Sequence, residues 1–378
     1  MTQHFFAPCP RGLEECLAEE LRVLGAGDLK VTPGGAGFSG ALDLAWRVNL
    51  ASRIASRVLW RVAQSPYRTE EDLYALARDT TWEKHFEATQ TLRVDLVATR
   101  SPLKSLKFAT LKVKDGVCDR FRDRTGTRPD IAKLGPDVRV HAHLDERNAV
   151  LYLDTSGEAL FKRGYRVADV EAPIRENLAA GILKLIGWTP DIALYDPMCG
   201  SGTFLIEAAQ IALGIPPGAK RRFGFYNLKS FDAPAWQRLR DTWPRVAHPA
   251  PRIFGSDSSR DALRAALANF TAAGVDEVIR VQSGDILDLD APAPEGILIT
   301  NPPYGDRLGD DAELAAFYPR LGDALKRRYA GWSANFITGD RRMEKLIRLK
   351  ASRRTPLMNG DIDCRLFEFR VVAGSHRA

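Results

Sequence analysis

Residues 194–209 read LYDPMCGSGTFLIEAA, an apolar run that ends in an acid, followed by a glycine-rich loop and a second apolar run. Gly200 and Gly202 remove side chains where a ligand must approach the backbone, and a helix that begins near Thr203 would offer free N–H groups to an anion. A dinucleotide-binding loop needs a third small residue at position 205, but this position is occupied by Leu205. It also needs an acid about 20 residues beyond the motif, but the next strand-end acid is Asp257, much further along the chain. The dinucleotide interpretation therefore fails.

The sequence around this loop alternates apolar strand patterns with helical patterns. The predicted strands are IALYD (192–196), RIFGSD (252–257), VIRVQSGD (278–285), GILITNPP (296–303) and SANFITG (333–339). Apolar strands that each end in a polar residue and lead into a helix predict an α/β fold with a doubly wound parallel sheet. Ligands of such sheets bind beyond the carboxyl ends of the strands, so we expect the functional residues there.

The first half of the chain has shorter and less regular elements. Strand patterns occur at TLRVDLVAT (91–99), DVRVHAHLD (137–145) and AVLYLDT (149–155). Between the first two, a helix is predicted over residues 103–122, and its inward-facing residues are Leu103, Leu106, Val113, Val117 and Phe121. This mixture predicts small α+β layers.

Length and composition indicate an ordinary globular protein. The 378 residues favour two or three domains, and 45% of them are apolar. No run of about 18 apolar residues predicts a membrane span, and MTQHFFAPCP at the start lacks the pattern of a secretory signal, so we expect a cytoplasmic protein without a membrane partner. The role of the long insertion at 214–251, rich in Pro, Arg and aromatic residues, stays open.

Basic residues are concentrated in one segment. Residues 100–133 contain ten Lys or Arg and four Asp, which by itself equals the net charge of +6 of the whole chain. A second basic run occupies 341–354. A net charge of this size permits a polyanionic partner without requiring one.

Metal and disulfide chemistry are not predicted. The five cysteines are scattered, with no C-x-x-C pair, which fits a reducing compartment. His141 and His143 have the spacing of a metal pair on a strand, but no carboxylate or cysteine pattern accompanies them.

Three more strand ends carry polar residues. Asp257 follows the second strand of the predicted sheet and Asp285 follows the third, while N-P-P-Y at 301–304 follows the fourth. Taken alone, Asp257 is explained equally well as a cap of the next helix, and Asp285 as a turn residue. The three positions together with the glycine loop form a pattern that such separate explanations account for poorly.

In this pattern the sequence resembles the class I S-adenosylmethionine-dependent methyltransferases. The resemblance implies that the glycine loop from Asp196 to Thr203 holds the amino-acid end of S-adenosyl-L-methionine. It also implies that Asp257 binds the ribose hydroxyls and Asp285 the adenine amino group. The implied cofactor-binding set is Asp196, Met198, Cys199, Gly200, Ser201, Gly202, Thr203, Asp257, Ser258, Asp285, Ile286 and Asn301.

The N-P-P-Y segment suits methylation of an amino group conjugated to a π-system, which is a poor nucleophile. The side-chain oxygen of Asn301 and the carbonyl of Pro302 would each accept one N–H bond and favour a pyramidal nitrogen. Pro302 and Pro303 fix the backbone that directs these acceptors. Tyr304 would stack on the flat target, as aromatic side chains do on flipped bases.

Other segments narrow the target, which N-P-P-Y alone leaves open among adenine, cytosine, guanine and glutamine amines. LFKRGYR (160–166), APIRENLAAGIL (172–183) and the glycine loop are similar to the THUMP-domain RNA guanine-N2 methyltransferases, most closely the bacterial enzymes of 23S ribosomal RNA. The related transfer-RNA enzymes are the alternative, although their loop usually lacks the Met-Cys of positions 198 and 199. A non-catalytic RNA-binding or assembly protein is the alternative of another class.

This resemblance implies three domains, a ferredoxin-like region at 1–59, a THUMP RNA-binding domain at 60–160 and a methyltransferase domain at 161–378. The resemblance also implies that the basic helix predicted at 103–122 binds RNA, with its cations in contact with phosphates. The predicted RNA-binding residues are Lys104, Lys107, Lys112, Lys114, Arg120, Arg122 and Arg124. The run at 341–354 is either a solvated helix face or a second RNA surface.

Overall fold

The computed structural model describes residues 2–168, 173–244, 250–302 and 311–372, without the side chains of 311–313. These residues form two compact units, each made of separate stretches of chain. Unit 1 comprises Met1–Pro8, Ala18–Leu160 and Arg221–Trp243, and unit 2 comprises Cys9–Leu17, Phe161–Lys220 and Pro244–Ala378. The chain therefore passes from one unit to the other after residues 8, 17, 160, 220 and 243.

Strands and helices alternate along the described chain. The strands are β1 (Gln3–Pro8), β2 (Gly27–Thr32), β3 (Gly35–Gly40), β4 (Leu59–Pro66), β5 (Leu92–Ala98), β6 (Val138–Leu144), β7 (Asn148–Asp154), β8 (Leu194–Asp196), β9 (Ile253–Asp257), β10 (Ile279–Ser283), β11 (Gly296–Thr300), β12 (Trp332–Thr338), β13 (Arg353–Asn359) and β14 (Ile362–Arg370). The helices are α1 (Glu14–Val23), α2 (Leu42–Ala51), α3 (Glu70–Asp79), α4 (Leu106–Thr125), α5 (Glu176–Leu185), α6 (Thr203–Ala212), α7 (Ala233–Asp241), α8 (Arg260–Ala273), α9 (Asp311–Arg328) and α10 (Met343–Leu346). None of the helices described here combines the length and hydrophobicity needed to cross a lipid bilayer.

Unit 1 contains a seven-stranded sheet of order β2-β3-β1-β4-β7-β6-β5. Only β5 and β6 run parallel, and the other neighbours are antiparallel. Strand β6 buries alternate residues from Val138 to Leu144, which is the period of a strand with one face on a core. The α+β architecture predicted for the first half is confirmed.

Helix α4 differs in part from its prediction. It begins at Leu106, where Ser105 Oγ accepts a hydrogen bond from Phe108 N at 3.2 Å. Val113, Val117 and Phe121 are buried as predicted, but Leu106 is 40% exposed, so its predicted inward position was wrong. The close approach to α3 occurs at Gly116, where an added Cβ would lie 2.6 Å from Tyr74 O. Leu106 is ten residues away, roughly 15 Å along the helix, in an exposed first turn.

The segment Arg221–Trp243 completes unit 1 although it lies in the second half of the sequence. Phe225 and Phe231 both pack against Trp46, with ring centroids 5.9 Å apart in each case. Backbone hydrogen bonds join Phe225 N to Thr155 O at 2.9 Å and Lys229 N to His85 O at 2.8 Å. The insertion that the sequence left unexplained thus supplies part of the unit 1 core.

Unit 2 is built on a sheet of order β10-β9-β8-β11-β12-β14-β13. The first five strands in this order are parallel, and β14 and β13 add an antiparallel edge. Nearly every residue of β8, β11 and β12 is buried, as expected for strands covered on both faces. The predicted α/β fold with a doubly wound parallel sheet is confirmed.

The basic run at 341–354 is not one helix, because it divides between α10 and the start of β13. Several of its cations are ion-paired: Arg341 with Asp363 at 2.5 Å, Arg342 with Asp340 at 3.0 Å, and Arg354 with Glu344. These pairs reduce the charge that the run offers to a polyanion.

Candidate active site

The parallel register brings four predicted strand ends to one edge of the unit 2 sheet. Leu194 of β8 is level with Ile253 of β9 and with Ile297 of β11, and Ile279 of β10 is level with Ile253. The carboxyl ends of these strands therefore face the same way. At that edge lie Asp196, Asp257, Asp285 and Asn301.

The glycine loop between β8 and α6 has a left-handed backbone geometry that favours glycine. Gly200 and Gly202 have φ of 54° and 83°. A Cβ on Gly202 would lie 2.4 Å from Phe270 Cε1, so α8 packs directly on the loop backbone. Gly202 caps α6 without a side-chain hydrogen bond, which leaves the first N–H groups of that helix available to a ligand.

Asp257 links two strand ends. Its Oδ2 accepts a hydrogen bond from Gly200 N at 2.9 Å, and its Oδ1 accepts one from Ser259 N at 2.9 Å. The side chain that caps α8 is Ser259, so capping that helix is not what Asp257 does. Asp257 remains half-buried and Ser258 exposed. The carboxylate thus holds the glycine loop while keeping part of its surface open to a ligand.

Asp285 is in the turn after β10. Its Oδ1 accepts a hydrogen bond from Leu287 N at 2.9 Å, and Gly284 N donates to Asp257 O at 3.1 Å. Ile286 is 1% exposed and belongs to the same core cluster as Tyr195. The turn is therefore anchored by Ile286, with the half-buried Asp285 beside it.

Burial sets the protonation of Asp196. Its side chain accepts a hydrogen bond from Met198 N at 3.3 Å, and the carboxyl group is fully buried. Burial disfavours the charged form and raises the pKa of Asp196 to about 7. Burial likewise raises the pKa of the Cys199 thiol well above its usual range, as expected for a small packing residue. A neighbouring positive charge or hydrogen-bond donor would favour the Asp196 carboxylate.

Asn301 follows directly after β11. Its Oδ1 is buried and accepts no hydrogen bond from any described residue, and Pro302 beside it is buried. A buried amide oxygen without a donor is costly, which suits a position where a ligand supplies the donor. The predicted residues Pro303 and Tyr304 lie outside the described residues.

Sequence reasoning missed a polar network behind the glycine loop. Arg166 donates to Ser201 Oγ at 3.0 Å, to Thr203 Oγ1 at 3.1 Å and to Glu176 Oε1 at 3.0 Å. Asn269 of α8 donates to Ser201 O at 3.1 Å. The segments 160–166 and 172–183 were signals of this network, but the sequence assigned no contact to their residues.

The same segments also attach to α6. Arg163 Nε donates to Glu207 Oε1 at 3.3 Å, and Tyr165 donates to the same oxygen at 3.2 Å. All three side chains are buried, and burial raises the pKa of Tyr165 well above its usual value. The stretch before α5 therefore fixes both the loop and the helix that follows it.

The predicted RNA-binding residues lie on or just before α4 and differ in their partners. Four are in ion pairs: Lys112 with Glu71 at 2.7 Å, Lys114 with Asp115 at 2.9 Å, Arg120 with Glu83 at 2.5 Å and Arg122 with Asp119 at 3.0 Å. Lys104, Lys107 and Arg124 have no ion-pair partner among the described residues. Arg124 borders a cleft with Asp79 and Asp123, whereas Lys104 and Lys107 lie at the opposite end of the helix.

A sheet of this order, with a glycine loop after β8, acids at the ends of β9 and β10 and an asparagine after β11, defines a methyltransferase of the Rossmann-like class. The chain belongs to the family described as "RMKL-like, methyltransferase domain", which matches residues 163–368. A THUMP domain matches residues 67–154, and an RlmL ferredoxin-like domain matches residues 4–59. The resemblance to THUMP-domain methyltransferases is thereby confirmed.

Relatives and solved structures agree with this assignment. A Syntrophotalea carbinolica protein named "Ribosomal RNA large subunit methyltransferase K/L" is 42% identical over 97% of this chain and 53% of its own length. A putative RNA methyltransferase of Synechocystis sp. is 38% identical over 98% of this chain and 97% of its own length. The crystal structure of a putative methyltransferase complexed with SAH superposes with a TM-score of 0.88 at 30% identity, covering 99% of each chain. The chain spans about half the length of the K/L relatives that it matches.

Proposed function

We propose that this protein transfers a methyl group from S-adenosyl-L-methionine to the exocyclic N2 of a guanine in 23S ribosomal RNA. The observation that carries the proposal is the buried Oδ1 of Asn301, which accepts no hydrogen bond from a described residue and lies at the sheet edge that also carries the glycine loop. The relatives named as large-subunit ribosomal RNA methyltransferases support the choice of RNA. Such a substrate places the protein in the cytoplasm.

The residues of the sheet edge fit the cofactor. Gly200 and Gly202 present backbone to a ligand, and the half-buried carboxylates of Asp257 and Asp285 suit hydroxyl and amino groups. S-adenosyl-L-methionine would supply a methyl group on a sulfonium. The binding set that we propose is Asp196, Met198, Cys199, Gly200, Ser201, Gly202, Thr203, Asp257, Ser258, Asp285, Ile286 and Asn301.

The chain then positions the amine. The Oδ1 of Asn301 and the carbonyl of Pro302 each accept one N–H, so the nitrogen becomes pyramidal and its lone pair is freed from the ring. Pro303 fixes the backbone and Tyr304 stacks on the base. Orientation and electrostatics supply the acceleration, and no covalent intermediate with the enzyme is required.

The same proposal assigns a role to each domain of the chain. Residues 1–59 form a ferredoxin-like region, a THUMP domain at 60–160 binds RNA, and residues 161–378 catalyse the transfer. The sheet of unit 1 is continuous across the first of these boundaries, since β1 pairs with β4. The ferredoxin-like region and the THUMP domain thus share one sheet.

A labelling experiment tests the proposal. The purified protein is incubated with isotope-labelled S-adenosyl-L-methionine in two separate reactions. One contains ribosomal RNA and the other contains transfer RNA, both from a strain that lacks the gene. Each RNA is digested and the nucleosides are identified by mass spectrometry, with Asn301→Ala as the matched control for contaminating activity. Labelled N2-methylguanosine in 23S RNA is the expected result. If labelled N2-methylguanosine appeared only in transfer RNA, the substrate would be transfer RNA and not 23S RNA. If neither naked RNA nor assembling large-subunit particles became labelled, the proposed activity would be rejected.

A further inference from the structure

The N-terminal end of α4 is an exposed surface in which aromatic, aliphatic and basic side chains are mixed. We name it the α4 patch and define it by Arg100, Lys104, Lys107, Phe108 and Leu111. Phe108 is 46% exposed and Leu111 is 43% exposed. Positions 104, 107, 108 and 111 are three or four residues apart, so within the helix they share one face, and Lys104 precedes its first turn.

No described residue neutralises the charge of the α4 patch by forming an ion pair with it. No acidic residue occurs between Asp95 and Asp115 in the sequence. Arg100, Lys104 and Lys107 have no ion-pair partner among the described residues, in contrast to the paired cations further along the helix. Cations that are left unpaired around exposed apolar rings favour an anionic partner with flat apolar surfaces.

Neighbouring residues hold the segment before α4 and the Phe108 ring of the patch in place. Tyr67 donates to Ser101 Oγ at 2.8 Å, and Leu103 N donates to the same oxygen at 3.2 Å. Arg100 has a φ of 58°, a left-handed conformation that is unfavourable for a residue other than glycine and that the surroundings must maintain. Lys112, itself held by Glu71, places its Nζ 5.4 Å from the centroid of the Phe108 ring. The segment before the helix and the ring are therefore fixed before any partner arrives.

We propose that the α4 patch binds an unpaired stretch of RNA, with a base stacked on Phe108 and adjacent phosphates on Arg100, Lys104 and Lys107. This inference rests on the proposed function and identifies which part of α4 contacts the substrate. An aromatic ring flanked by cations is the arrangement by which proteins bind single-stranded nucleic acid, because every base has a face that stacks. Lys112, Lys114, Arg120 and Arg122 then have a structural role in their ion pairs.

Fluorescence anisotropy with the full-length protein and a fluorescein-labelled 12-nucleotide uridylate RNA tests the proposal. Phe108→Ala should weaken binding about 5- to 150-fold and leave the salt dependence unchanged, because stacking releases no counterions. Lys104→Gln with Lys107→Gln should lower the slope of log Kd against log salt by about 1.4, the value for two single-strand phosphate contacts. Phe108→Tyr should restore most of the affinity lost with alanine. The matched control is Arg78→Gln, which removes a paired, exposed cation from the neighbouring helix α3 and should leave the slope unchanged.

The outcomes separate this inference from the proposed function. Wild-type affinity in Phe108→Ala, or no binding of the uridylate RNA by the wild-type protein, would overturn the α4 patch as an RNA site without touching methyl transfer to ribosomal RNA. Sedimentation of the wild type as a dimer and of Phe108→Ala as a monomer would assign the patch to a second copy of the chain instead. If all variants have the same thermal unfolding midpoint as the wild type, the exposed substitutions leave the fold intact.

Discussion

At the scale of single residues, the sequence predicted strand-end side chains well and side chains brought in from elsewhere poorly. Asp196, Asp257, Asp285 and Asn301 lie at the ends of strands or within two residues of them, so their placement at one edge depends only on recognising parallel strands. Arg166 reaches Ser201 across 35 residues of sequence. A contact of that kind has no local pattern, which is why the network behind the glycine loop was missed.

The first residue-scale prediction concerns Asn301. Replacement by alanine should lower kcat by roughly 10²-fold, as the loss of one preorganised polar group does in other active sites. The affinity for S-adenosyl-L-methionine should change little, and the fold should be retained because Oδ1 bonds to no described residue. Single-turnover kinetics with calorimetric titration of the cofactor would measure both. An unchanged kcat would refute the role of Asn301.

The second concerns the pH dependence that Asp196 confers. Its folded pKa of about 7 lies above the usual value of 3.8, so between these values the folded state binds more protons than the unfolded state. The stability contributed by this group is therefore fully present below about pH 4 and is lost as pH rises toward 7. Asp196→Asn should be more stable than the wild type at pH 8, by a few kcal/mol, and about equally stable at pH 4.

Thermal unfolding at a series of pH values would measure this difference. If the two proteins shifted in parallel over the whole range, the carboxyl group would have an ordinary pKa and the interpretation of its burial would fail. Cofactor binding gives a second readout, since a ligand that donates to the carboxylate should bind the wild type more tightly as pH rises through about 7.

At the scale of elements, the described helices and strands follow mostly from local signals, and the errors occur where packing decides. The strands of unit 2 were located from apolar runs that end in a polar residue. The start of α4 was placed too early because Leu103 and Leu106 continue the apolar spacing, whereas Ser105 caps the helix and residues 106–108 of its first turn are exposed. Spacing predicts which residues are able to face a core, but only tertiary structure supplies the core.

The packing of α8 on the glycine loop gives a prediction for this scale. Gly202→Ala should destabilise the protein by about 2–4 kcal/mol, because it combines a left-handed φ with a Cβ that overlaps Phe270. Gly187→Ala is the matched control, since Gly187 has a φ of 70° but nothing within 4 Å of its added Cβ. Chemical denaturation should show a clearly larger loss for position 202. Equal losses would mean that backbone strain alone, and not the contact with α8, requires glycine there.

At the scale of the whole molecule, the sequence indicated the two kinds of sheet but not how the chain is shared between the units. Alternating strands and helices are a local property, so the doubly wound sheet was predictable. The packing of Phe225 and Phe231 on Trp46 joins residues about 180 positions apart, and an insertion rich in aromatic residues gave no sign of where it would pack.

This arrangement predicts the behaviour of fragments. Residues 1–160 alone should unfold at a lower temperature than unit 1 in the full chain, because they lack the segment that covers Trp46. Adding a peptide of residues 221–243 should raise the unfolding midpoint, and a control peptide with Phe225→Ala and Phe231→Ala should not. Near-ultraviolet circular dichroism would follow Trp46 becoming ordered. A fragment that gains nothing from the native peptide would show that the aromatic contacts add no stability.

The discontinuous make-up of unit 1 also bears on its synthesis. The segment that covers Trp46 has left the ribosome completely only 83 residues after residue 160. At ordinary elongation rates this interval lasts roughly 4 to 17 seconds, long compared with hydrophobic collapse. During it the aromatic surface of the nascent chain is uncovered and open to chaperones. The speed of translation between residues 160 and 243 therefore sets how long each new molecule is exposed to misfolding.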